Sequence, residues 1–107
     1  MSTISLEKER WQSYFDNFSK VFEPAAASLE IVSIDVGDQP EVSSLTLNGV
    51  TYDPRNDVLE LQLGDQVDHL IQQPKEVYVT ETDDGFASME VVDKEGAKHI
   101  LTVKAQA

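Results

Sequence analysis

The chain has 107 residues, no cysteine, and twenty acidic against eight basic residues, which gives a net charge of −12. This length predicts one domain, residues 1–107, with a single small core. The composition excludes disulfides and thiol chemistry, and the negative charge argues against direct binding to nucleic acid or to an anionic membrane. The first residues lack the pattern of a signal peptide and no apolar run suggests a membrane span, so we expect a cytoplasmic protein.

An aromatic stripe predicts a helix near the start of the chain. Four aromatic residues recur at spacings of four, three and four positions, which places them on one helix face. They are Trp11, Phe15, Phe18 and Phe22. Ser5 is the expected N-cap and Pro24 limits the other end, so the helix is predicted over Leu6–Phe22 with its stripe packed on a sheet.

Two β-type runs follow. Residues 25–28 are predicted to be a connector, and Leu29–Val36 is rich enough in β-branched residues to form a strand. A second strand is expected to begin at Val42. We expect Asn48-Gly49 to form a bulge or bend inside this strand, which then continues to Tyr52.

The stretch Gly49–Leu63 reads as a β-hairpin, because turn formers separate its two β-type runs. Asp53 is expected to cap the turn, and Asn56 to adopt the left-handed conformation that leads back into a strand. Apolar and polar residues then alternate. Three leucines are predicted to face the core, at positions 59, 61 and 63.

The last part of the chain is predicted to hold a short helix and a meander. Val67, Leu70 and Ile71 fall at helical spacing, with Asp65 as the cap and Pro74 as the end. Three turn-bounded strands then follow: Glu76–Glu81, Phe86–Val92 and Ala97–Lys104. The predicted fold is therefore α+β, an N-terminal helix packed on a mainly antiparallel meander sheet of five to six strands.

Three polar clusters were weighed as sites. Asp53, Asn56 and Asp57 could bind a cation, although turn capping explains them without one. Asp35, Asp38 and Glu41 surround Gly37, where solvated loop acids are the simpler interpretation.

Asp68 and His69 could form an acid–base pair, but neighbours on a helix do not face each other, and His69 is better read as a boundary residue of the short helix. His99 has still less to suggest catalysis. No nucleotide, hydrolase or metal motif is present, so no catalytic residue, metal ligand or cofactor is predicted.

Five sequence blocks stand in order along most of the chain: Trp11–Asp16 (WQSYFD), Ser33–Gln39 (SIDVGDQ), Gly49–Glu60 (GVTYDPRNDVLE), Asp68–Ile71 (DHLI) followed by Pro74, and Glu76–Val79. Together they resemble a family of small bacterial proteins of unknown function. Gln72-Gln73 departs from the family, which has Arg or His there. The family has no assigned activity, so the resemblance implies no site residue.

The leading functional hypothesis is a non-enzymatic protein-interaction module whose partner is a protein with a basic surface. Residues 24–74 carry nine acids and only Arg55, and the expected partner-binding residues are all aspartates. They are Asp35, Asp38, Asp53, Asp57, Asp65 and Asp68. One alternative is an inhibitor that imitates nucleic acid, and another is a small enzyme using Asp68 and His69. A homodimer is also left open.

Overall fold

A computed structural model describes residues 2–21, 24–33, 37–38, 42–64, 68–82 and 85–103. These residues form one helix, α1 (Lys8–Val21), and nine strands. The strands are β1 (Ser2–Leu6), β2 (Ala25–Ser33), β3 (Gly37–Asp38), β4 (Val42–Asp53), β5 (Val58–Leu63), β6 (His69–Gln72), β7 (Glu76–Thr82), β8 (Gly85–Val92) and β9 (Lys98–Val103).

Eight strands lie side by side in the order β1-β7-β8-β9-β2-β4-β5-β6, and β3 pairs with β2 apart from this path. Every pairing is antiparallel. The α+β class and the C-terminal meander β7-β8-β9 are therefore confirmed. The predicted count of five to six strands is wrong, because β1 and β6 join the sheet at its two margins.

The sheet rolls up strongly. Six strand spacings separate β6 from β7 along the sheet, which in a flat sheet would be about 29 Å. Yet residues 73–75 alone join the two strands, and four Cα steps reach at most about 14 Å. The join is bonded to both sides, since the Gln73 amide donates to the Asp57 carbonyl and the Lys75 amide to the Val92 carbonyl, each at 2.7 Å.

Helix α1 covers the inner face of the rolled sheet and lies closest to β4. Trp11 and Phe15 are 1% and 0% exposed, and the Trp11 ring meets Tyr52 edge-on with centroids 5.2 Å apart. This confirms that the aromatic stripe packs on the sheet. Phe18 is partly buried beside it, and Phe22 lies outside the described residues.

The start of the helix differs from the prediction. Ser5 is not an N-cap, because it lies in β1 opposite Tyr78, and the helix begins at Lys8. The Leu6 carbonyl at the end of β1 accepts a hydrogen bond from the Trp11 indole at 2.9 Å. Pairing with β7 thus places Ser5 in a strand, although its local sequence alone predicts a helix N-cap.

The predicted bulge in β4 is confirmed. The register between β4 and β5 shifts between Leu47 and Gly49, so the odd-numbered Leu47 and the even-numbered Val50 are both buried. Gly49 lies where the helix approaches β4, since a Cβ there would lie 3.1 Å from Ser19 Oγ and 3.6 Å from Ser19 Cβ of α1. Ser19 of the helix binds both backbone groups of Val50, at 2.7 Å and 3.0 Å.

The β4–β5 hairpin is also confirmed, with Asp53 opposite Val58. The Asp53 carboxylate caps the turn by accepting from the Arg55 amide at 2.9 Å and from the Asn56 side chain at 2.8 Å. The left-handed residue is Asp57, with φ 54°, and not Asn56 as predicted. The leucines of β5 are buried at alternate positions, as expected.

Two other local predictions are wrong. Residues 25–28, predicted to be a connector, begin β2 and pair with both β4 and β9. The predicted helix after the hairpin is the strand β6 where it is described, because His69–Gln72 pairs with β5. Asp65 and Val67 lie outside the described residues. No helix in the described part of the chain is both long and apolar enough to cross a membrane.

Candidate functional site

The six aspartates predicted to bind a partner do not form one surface where the structure describes them. Asp53 and Asp57 share the β4–β5 turn, whereas Asp68 lies at the far end of β5, with its carboxylate 3.4 Å from the Leu63 amide. Asp35 and Asp65 lie outside the described residues, as does Glu41. The backbone of Asp38 is in β3, and its side chain lies outside the described part.

Asp57 is occupied by internal contacts. Its carboxylate accepts a hydrogen bond from the Tyr52 hydroxyl at 2.6 Å and pairs with the Lys8 ammonium at 3.4 Å. Burial and the bond to Asp57 raise the pKa of Tyr52 to about 12. The hydrogen bonds from Asn56 and the Arg55 amide lower the pKa of Asp53. The turn aspartates therefore stabilise the hairpin and tie it to the helix.

A chain of three polar side chains crosses the interior of the rolled sheet. His69 Nε2 lies 2.9 Å from His99 Nδ1, and His99 Nε2 lies 2.9 Å from Asp93 Oδ2. We call these residues the histidine chain. His99 is 9% exposed, and His69 is half-buried.

The strands place the two rings by simple alternation. His69 lies opposite Leu61 in the β5–β6 pairing, and Leu61 faces the core. His99 lies two positions before the buried Leu101 on β9 and opposite Val91 on β8. Both histidines therefore point into the interior, and the roll of the sheet brings β6 and β9 together.

The hydrogen bonds assign the protons of the histidine chain. Burial favours the neutral form of Asp93, but hydrogen bonds from His99 and from the amides of Glu95 and Ala97 outweigh it and hold its pKa below the ordinary value. An ionised carboxylate can only accept, so the His99 proton lies on Nε2. In neutral His99 the Nδ1 lone pair then accepts the Nε2–H of His69.

The surroundings of His69 disfavour a second proton on its ring. Burial, and then the nearby His99 ring, lower the pKa of His69. A doubly protonated pair would bring two cationic rings into contact, with two N–H groups facing each other. The arrangement therefore disfavours a doubly protonated pair. In the neutral pair one proton lies between the two ring nitrogens, in the place that a cation could take.

The sequence interpretation missed the histidine chain. The sequence suggests Asp68 as the partner of His69, but the described contacts join His69 to His99 and Asp68 to the Leu63 amide. The interpretation of His69 as a helix boundary residue is wrong, because it lies in a strand. The sequence did contain a signal. His99 lies two positions from Leu101 and His69 two positions from Ile71, so each histidine is expected on the same strand face as an apolar residue.

The two margins of the sheet form a second candidate site. β1 pairs with β7 in an unbroken register of five residues, and Ile4 on it is 42% exposed. β6 has four residues and is followed by Gln73 with φ 50° and by Pro74. Leu70 on β6 is 52% exposed. Among the described strands neither margin has a neighbour on its outer side, so each leaves backbone groups to which another strand could bind.

Comparison with known proteins places the sequence in a group without an assigned role. A family model described as "Family of unknown function (DUF5335)" matches residues 2–107. The chain is also similar to an uncharacterized protein of Aquifex aeolicus (strain VF5). The two are 47% identical over 104 residues, which is 97% of this chain and 94% of that protein.

Proposed function

The chain belongs to the DUF5335 family of unknown function, and we propose that it is a non-enzymatic interaction module that binds an extended, basic segment of a partner protein along β1. The observation that carries the proposal is the margin formed by this strand, which in the described part of the chain pairs with β7 and with no other strand. Added strands gain affinity from main-chain hydrogen bonds and specificity from alternating side chains.

β1 lacks the features with which proteins protect a free sheet edge. Its sequence, Ser2-Thr-Ile-Ser-Leu6, has no charge and no proline, and its register with β7 contains no bulge. Edge strands in soluble proteins usually carry such features to prevent pairing with other chains. β6 does have them, because it is short and its end is blocked by Gln73 and Pro74.

The charges near β1 favour a basic partner over a second copy of the chain. Exposed carboxylates flank the strand at both ends, with Glu81 opposite Ser2 and with Glu7 and Glu9 after Leu6. A Lys- or Arg-containing segment gains attraction on approach, whereas a second copy adds another charge of −12. The lack of catalytic motifs in the sequence supports binding without chemistry.

A matched pair of substitutions tests this proposal. Short random peptides are selected on the wild-type chain, and their affinities are then measured for Ile4→Lys and Leu70→Lys. Both variants change an exposed margin residue and both add one positive charge. We expect selected peptides to be rich in Lys and Arg, and Ile4→Lys to weaken them at least roughly tenfold while Leu70→Lys leaves them within about twofold.

Hydrogen exchange and native mass add two further readouts. Bound peptide should protect the amides of β1, and the free protein should remain a monomer at the concentrations used. Equal weakening by both variants would contradict binding at the edge and would indicate electrostatic mimicry of nucleic acid. A stable dimer that Ile4→Lys dissociates would show that a second copy is the occupant.

A further inference from the structure

Two ring nitrogens converge on one point between β6 and β9. His69 Nε2 and His99 Nδ1 are 2.9 Å apart, with ring centroids at 5.1 Å and ring planes tilted by 50°. These are the chain's two histidines, and it has no cysteine. A proton now occupies the space that a cation could take.

The spacing is close to that of two imidazoles bound to one metal ion. With Zn–N bonds of about 2.0–2.1 Å and a tetrahedral angle, the two nitrogens lie roughly 3.3 Å apart. The pair therefore has to open by roughly 0.4 Å, relative to the 2.9 Å of the hydrogen bond. β6 can supply this movement, since it is a margin strand whose one partner among the described strands is β5.

Asp93 already prepares His99 as a ligand. Histidines that bind metals commonly donate their other ring N–H to a carboxylate, which fixes the tautomer and makes the ligand more basic. Asp93 accepts from His99 Nε2 at 2.9 Å, and its second oxygen is held by the Glu95 amide at 2.8 Å. The Nδ1 lone pair of His99 is thus aimed into the gap.

We propose that His69 Nε2 and His99 Nδ1 bind one late divalent transition-metal ion of the zinc class, with water in the other positions and Asp93 as a positioning residue. The shared proton leaves Nε2, and His69 takes the tautomer protonated on Nδ1, so a neutral pair binds without net change of protonation. Imidazole ligands select zinc over magnesium and calcium, which prefer oxygen. In the described part of the chain no third His, Asp or Glu joins the pair.

Calorimetric titration of the full chain with Zn²⁺, in excess Mg²⁺ to occupy the surface carboxylates, tests the site. One zinc per chain is expected, and His69→Gln should weaken its binding more than roughly tenfold. Asp93→Asn should weaken it by about 10- to 100-fold. Asp53→Asn is the matched control, because Asp53 also accepts from the amide two residues on, but contacts no histidine.

Spectroscopy separates ligation from a structural effect of the variants. Bound Cu²⁺ should show magnetic coupling to two imidazole nitrogens in the wild type and to one in His69→Gln. Zinc affinity that is unchanged in His69→Gln would overturn the proposal, since the carboxylates would then hold the ion. Displacement of zinc by Mg²⁺, or an Asp53→Asn effect as large as that of Asp93→Asn, would also overturn it.

Discussion

Two contacts span the interior of the rolled sheet, and they do so with different chemistry. Beneath α1, Trp11 meets Tyr52 edge-on, and the two residues are 1% and 6% exposed. Between β6 and β9, His69 meets His99 through one shared proton. The first contact buries apolar surface, and the second joins polar atoms that burial would otherwise destabilise.

The aromatic contact and the histidine contact differ in how they depend on pH. An edge-to-face aromatic pair depends on shape and on the exclusion of water, neither of which changes near neutral pH. The histidine pair depends on its protonation, because one proton joins the two ring nitrogens, whereas protonation of both rings would set two like charges side by side. One sheet therefore has one part fixed by packing and another fixed by protonation.

The largest expected effect is the loss of the aromatic contact. Trp11→Ala removes a side chain that is 1% exposed, and we expect it to lower the free energy of unfolding by about 3–5 kcal/mol in urea melts. The neighbouring exposed Gln12→Ala should change stability by no more than about 0.5 kcal/mol. A loss below about 1 kcal/mol for Trp11→Ala would show that this contact does not hold the helix on the sheet.

Removing one ring of the histidine pair should have a smaller effect. His69→Ala leaves the buried His99 Nδ1 without its partner, so stability should fall by about 1–3 kcal/mol. Leu70→Ala is the control on the same strand, since Leu70 is 52% exposed. If the two variants have equal stability, water replaces the His69 ring at no cost and the pair is not structural.

Removing the Tyr52 hydroxyl should lower the stability by less than removing the His69 ring. Tyr52→Phe keeps the ring that packs on Trp11 and removes only the hydroxyl that donates to Asp57 at 2.6 Å. We expect a loss of about 0.5–1.5 kcal/mol in thermal or urea unfolding. Asp57 keeps its ion pair with Lys8, so a loss larger than that of His69→Ala would reverse the ranking.

The finest test is the pH dependence of stability. The pKa of His69 is lowered in the folded chain by burial and by His99, whereas in the unfolded chain it is about 6.5. Below that value the unfolded chain gains a proton that the folded chain resists. Stability is therefore complete above pH 6.5 and falls as the pH decreases through the window down to the folded pKa.

Urea midpoints measured across this window check the sign. The wild type should lose stability on acidification, while His69→Gln should lose less over the same range. Asp93 acts at lower pH, because its lowered pKa stabilises the fold above about pH 3.8 and that contribution is lost below it. A loss in His69→Gln as large as that of the wild type over this range would contradict the assigned protonation of the pair.

Local patterns were sufficient to predict the parts of the fold that local interactions decide. The β4–β5 hairpin and the meander follow from turn formers and alternation. The bulge follows from Asn48-Gly49 inside a longer strand, because the residues from Val50 to Tyr52 are too few to form a separate strand. The aromatic stripe of α1 needed only its spacing.

The errors in the strand count lie at the two margins of the sheet. Leu70 and Ile71 fit a helical spacing as well as a strand, and pairing with β5 decides between them. Ser5 fits a cap until β7 supplies a partner from the far part of the chain. The secondary-structure preference of a short segment is too weak to prevent it from pairing with a neighbouring strand. The sequence of the segment does not show which strand that neighbour is.

The histidine chain was missed for a related reason. His69 and His99 are thirty residues apart, and nothing near either residue points to the other. Only the roll of the sheet, set by the three-residue join between β6 and β7, brings their strands together. Alternation alone could have shown that both rings face inward, but not that they meet.

The pairing of β1 with β7 has a consequence for synthesis of the chain. Thr3 and Thr80 touch across 77 positions, so at roughly 5–20 residues per second the ribosome delivers the partner about 4–15 s after β1 has been made. During that interval the uncharged Ser2–Leu6 segment has no β7 to pair with. Until β7 has been made, the nascent chain is therefore open to capture by chaperones, or to pairing with other chains, through Ser2–Leu6.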